Sequence, residues 1–125
     1  MILIAASFFA VLVLLIAYLR IGPQVEHYFS SISFDSKTWK RAEGSYDPVR
    51  LLMVDDLLAK HKLAGNSVAE IDALLGTPPK TTYFSDYQYV YWLGPERRSF
   101  IKIDFEWLGI RFDNERVVEV KLLND

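Results

Sequence analysis

Asp104 and Glu106 stand two residues apart in a stretch with strand character, so their carboxylates would share one face. Such a pair can hold a divalent cation or do acid–base work. His61, within Lys60-His61-Lys62, is the one imidazole that would join them in a small hydrolytic site. The same residues also fit ordinary surface chemistry. The carboxylates would then pair with Lys102 and Arg111, and the basic run would close a helix whose dipole favours cations at its end. Glu96-Arg97-Arg98 offers guanidinium groups for a carboxylate or phosphate, or local ion pairs within a loop. His27 has no second ligand near it. There is no G-x-S-x-G, H-E-x-x-H or P-loop, and no cysteine for thiolate catalysis or a thiolate zinc site. No cofactor or metal site is expected. The better supported reading is a non-catalytic binding module; the rival is a hydrolase built on Asp104, Glu106 and His61.

Aromatic residues carry the binding reading. Tyr83, Phe84, Tyr87, Tyr89, Tyr91 and Trp92 crowd one region, more than two short helices would cover. Tyr87, Tyr89, Tyr91 and Trp92, with Glu96 and Arg97 of the following loop, are the expected contact surface for a protein partner.

The elements that must position these residues begin with an apolar run. The first 19 of the 125 residues contain no charge. Residues 1–20 are expected to form a transmembrane helix, ended by Arg20 with Tyr18 near the interface. A basic n-region and an A-x-A site, the marks of a cleaved signal peptide, are missing. A single-pass protein of the cell membrane follows, in contact with lipid through 1–20. The flanking charges lean toward a cytoplasmic domain. Net charge is −2 with no basic stripe, which argues against nucleic acid as a partner. Gly22-Pro23 should break the helix, and 21–46 reads as a partly ordered tether whose aromatics dock on the domain or lie at headgroup level.

A domain is expected over 47–125. Asp47-Pro48 reads as N-cap and first turn of a helix running to a stop at Gly65, with Leu51, Val54 and Leu58 on one face. Ser67-x-x-Glu70 is a capping box for a second helix, closed by Gly76 and released by Pro78-Pro79. Strands follow at Tyr87–Leu93, Phe100–Phe112 and Val117–Leu123. A change of phase near Leu108-Gly109 suggests a bulge, and Val118, Val120 and Leu122 should face inward. The expected fold is α+β: two helices packed on a three- to four-stranded antiparallel sheet, behind a transmembrane helix.

Gly65-x-Ser67-x-x-Glu70-Ile71-x-x-Leu74-Leu75-Gly76-x-Pro78, with the closing hairpin RFDNERVVEVKL, resembles the BamE-like (SmpA/OmlA) family of small outer-membrane assembly lipoproteins. The stretch VYWLGPERRSFIKIDFEWLGIRFDNERV is similar to a group of uncharacterised bacterial proteins of that fold. The resemblance covers about two-thirds of the chain, from Asp47 to Asp125. It implies the fold, a non-catalytic protein-binding role and an extracytoplasmic envelope location, and it transfers no site residue. Members are anchored by a lipidated cysteine; here an apolar helix stands in its place.

Overall fold

The computed structural model describes residues 1–97 and 104–125, with backbone alone at 23–30. Arg98, Lys102 and the strand expected over 100–103 lie outside the described residues. In chain order the elements are α1 (Ile2–Ser30), α2 (Ser36–Arg41), α3 (Val49–Lys60), α4 (Val68–Leu75), β1 (Tyr89–Pro95), β2 (Phe105–Asp113) and β3 (Arg116–Asn124). The architecture is α+β, an apolar N-terminal helix followed by helices on one face of an antiparallel sheet ordered β1-β2-β3.

α1 does not stop at Gly22-Pro23; it continues to Ser30. A proline forfeits its own bond to the carbonyl four residues back, but the turns on either side keep theirs. Ile2–Gly22 is long and apolar enough to cross a membrane, rising about 31 Å against a hydrocarbon core of about 30 Å.

The segment expected as a tether is, from Ser31 onward, part of the domain. Asp35 caps α2 by accepting from the Thr38 N–H (2.8 Å) and hydroxyl (2.7 Å). Trp39 is fully buried, edge-on to Phe34 and Tyr91. Ser36 Oγ donates to the Leu74 carbonyl (2.5 Å) and Lys40 Nζ to that of Ala73, tying α2 to α4. The chain arrives against α3: Ile32 N–H donates to the Leu52 carbonyl (3.0 Å) and Phe34 N–H to Asp56 (2.6 Å).

α3 starts one residue later than expected, with Pro48 at the cap and no side-chain bond there. It also ends sooner. Residues from His61 are extended, which brings Leu63 into the core. Lys60 pairs with Asp56 one turn back at 2.7 Å. α4 matches its signals: Ser67 Oγ accepts from the Glu70 N–H (3.1 Å), the Glu70 carboxylate reaches the Ser67 hydroxyl (3.2 Å), and Gly76 closes the helix at φ +76°. Leu51, Val54 and Leu57 of α3 and Ile71 and Leu75 of α4 form a core with Tyr91, Leu93, Leu108 and Ile110 of the sheet.

α3 begins directly over β1. A Cβ on Gly94 would lie 3.0 Å from Pro48 Cβ and 3.1 Å from Leu51 Cδ2, and its φ of +155° also favours glycine. The expected bulge at Leu108-Gly109 is absent, since both partner strands keep continuous register there. β2 is bulky on both sides because it is covered on both, by the helices at Leu108 and Ile110 and by Tyr87 and Leu123 over Gly109. The register shifts elsewhere, at Leu93 and at Val118. The second shift corrects the expectation for β3. Val117 faces the core, Val118 is displaced outward and 47% exposed, and Val120 and Leu122 pack inward. Asn114 and Glu115 close the β2–β3 hairpin at φ 49° and 62°, the two-residue turn that suits the strand twist.

Candidate functional site on the outer sheet face

The trio considered for hydrolysis is not brought together. Glu106 is buried and bound to Arg97: Oε2 accepts from the Arg97 N–H (2.9 Å) and Nε (2.8 Å), and Oε1 from Nη2 (3.0 Å). Arg97 also reaches Asp55 on α3 at 3.2 Å. Asp104 contributes its carbonyl, which accepts from the Glu96 N–H (2.9 Å). His61 packs edge-on against Phe34, with ring centroids 5.2 Å apart. Among the described residues no group of three His, Asp or Glu is placed to hold a metal ion. Arg97, expected on a contact surface, instead clamps the end of β1 to β2 and α3.

Two of the expected contact tyrosines belong to the core. Tyr91 is 1% exposed, and its hydroxyl donates to the Gly76 carbonyl (2.6 Å) at the end of α4. Burial pushes its phenol far above the ordinary value. Tyr89 is half-buried against Phe112 and donates to Asp72 (2.6 Å); burial first, and then that carboxylate, raise its phenol too. Tyr89 and Tyr91 share the side of β1 that faces the helices.

The opposite parity forms the surface. Trp92 and Trp107 are directly paired across β1 and β2. Tyr83 stacks on Trp107 (5.8 Å, interplanar 29°), with Phe84 edge-on to it at 6.2 Å. Phe105 lies 5.8 Å from Trp92, and Tyr46, 91% exposed, stands 6.2 Å from the same ring. Tyr87 covers Gly109 and donates to Glu119 (2.7 Å), which also accepts from Arg111 Nε (3.1 Å) and Nη2 (3.0 Å). Those donors, Tyr87 first, hold the Glu119 carboxyl below its usual range.

Beside this layer lies an open cleft of about 320 Å³ between the turn at 42–46, the segment 79–81 and the outer face of the sheet. Trp92, Trp107, Val90 and Tyr46 make its apolar walls; Arg50, Glu43 and Lys80 supply charge. Its dimensions and mainly apolar lining suit a ligand held by aromatic contact and a few polar groups.

Of the expected surface, Trp92 and Tyr87 are on this face. Tyr46, Phe105 and Trp107 belong to it as well. Tyr46 was hidden in the supposed tether, and the bulge expected at Leu108-Gly109 would have put Trp107 on the same side as Leu108, whereas the continuous register there puts them on opposite sides. No protein-family model, curated protein or solved structure matches this chain.

Proposed function

We propose that this chain is a non-catalytic, single-pass membrane protein whose α+β domain presents its outer sheet face to a protein partner. The observation that carries the reading is the continuous aromatic layer at Trp92, Trp107, Tyr83 and Tyr46, on the face that none of the described helices covers. Tryptophan and tyrosine at a rigid, partly desolvated patch are the usual anchors of protein contacts. The route of the chain supports a protein over lipid. The segment leaving α1 docks on α3 through Leu52 and Asp56, and α3 packs on the other side of the sheet. On this reading the domain is attached through its helical layer, with the aromatic layer on the opposite side of the sheet. The resemblance of the Gly65–Pro78 motif to the BamE-like family agrees with such a role, and we include that fold assignment in the proposal.

The test is a photo-crosslinking residue in place of Tyr46, in the full chain in its native membrane. A discrete protein adduct that disappears when Trp107→Ser is added, with the fold retained by circular dichroism, is expected. An adduct indifferent to Trp107, or adducts to lipid alone, would overturn the reading.

A further inference from the structure

The cleft contains a cation that the fold leaves half used. Arg50 is 3% exposed and lies between two rings, 5.2 Å from the Trp39 centroid and 5.8 Å from that of Tyr91. Nε donates to the Trp39 carbonyl (2.9 Å) and Nη1 to Glu43 (2.9 Å). Nη2 has no acceptor among the described residues. The opening that Arg50 lines is the cleft, and Glu43, 41% exposed, holds only one arm of the guanidinium from the rim. A desolvated guanidinium with free donors selects a carboxylate oxygen. Lys80 on the rim adds a second positive charge against the single Glu43.

We propose, resting on the protein-binding reading above, that the cleft receives the C-terminus of a partner polypeptide. The terminal apolar side chain lies against Trp92 and Trp107, and the α-carboxylate accepts from Arg50 Nη2. Two features favour a chain end over a strand running through. The volume of about 320 Å³ is at the small end for a ligand site. The cation lies at the buried floor, where a terminal group reaches it without the chain having to pass.

The experiment uses the full chain in lipid nanodiscs, with its three indole N–H resonances assigned by Trp→Phe variants. The probes are the acetylated tripeptide Gly-Leu-Phe as free acid and as C-terminal amide. The free acid should shift the Trp92 and Trp107 signals saturably, and the amide should bind about tenfold more weakly, the loss of one charge-assisted bond. Glu43→Gln, which removes the competing carboxylate without opening the core, should tighten the free acid several-fold and leave the amide unchanged. Equal binding of acid and amide would overturn the carboxylate assignment and leave the aromatic surface standing. Silence of both indole signals with both probes would overturn the cleft as a peptide site altogether.

Discussion

Glu106 and Arg97 show how a residue suited to chemistry can be fully committed to structure. Both side chains are nearly buried, and each satisfies the other at 2.8 Å. Breaking such a pair leaves a desolvated charge, so Glu106→Ala should lower unfolding free energy by about 3 kcal/mol, measured by urea denaturation. The double change Arg97→Met with Glu106→Leu should cost much less, because no charge is stranded. The carboxylate was legible from the sequence; its partner was not, since Arg97 and Glu106 meet only once β1 and β2 pair. Gly109 teaches the same lesson from the other face. A methyl there would come within 2.5 Å of Leu123 Cδ1 and 2.8 Å of Tyr87 Cδ1. Gly109→Ala should destabilise by about 1–3 kcal/mol as those side chains are forced aside. Asp56 supplies a pH-dependent contact. The hydrogen bond from Lys60, and then the Phe34 N–H, hold its carboxyl below the ordinary value. With the folded pKa below the unfolded one, its stabilising contribution is complete above about pH 4 and drains away as pH falls through the folded value. The urea midpoint should fall through that acid range, and Asp56→Asn should flatten part of the fall.

At the scale of elements, the capped helix at 68–75 and the β2–β3 hairpin were readable because their signals are local: a serine cap, a closing glycine, a tight polar turn. The boundary of the domain was not. Residues 31–46 look like linker because α2 has only six residues and one buried side chain. That side chain is Trp39, which fills the space between Phe34, Tyr91 and the Arg50 guanidinium. Deleting 31–46 should therefore abolish the cooperative unfolding transition. In the intact chain, Trp39→Ala should cost about 3–5 kcal/mol. A stable, cooperatively folded 47–125 fragment would show that α2 is dispensable and this account of the core wrong. Val118 departs from the expected alternation because the register shift between Arg111 and Phe112 leaves it unpaired and breaks the period of two, whereas the inward side of β1 was hidden for another reason. Strands covered on both faces carry bulky residues on both, so period two no longer says which side is inside.

In the molecule as a whole, an apolar helix is joined to a domain through a short connection. Residues 23–30 continue the helix and rise about 12 Å. The domain is then clasped at Leu52 and Asp56, on the helical layer. The proposed role requires the bilayer to lie on that side and the Trp92–Trp107 face to be turned to the aqueous side. The chain has three tryptophans, at 39, 92 and 107, and none lies in α1. Tryptophan emission therefore reports on the domain alone. The decisive measurement is fluorescence of the full chain in bilayers whose acyl chains are brominated near the headgroup. A Leu14→Trp variant, with its added indole inside the span, gives the positive control and should be quenched. The native tryptophans should keep their full emission; strong quenching of Trp92 and Trp107 would place the aromatic face on lipid and overturn the proposed role.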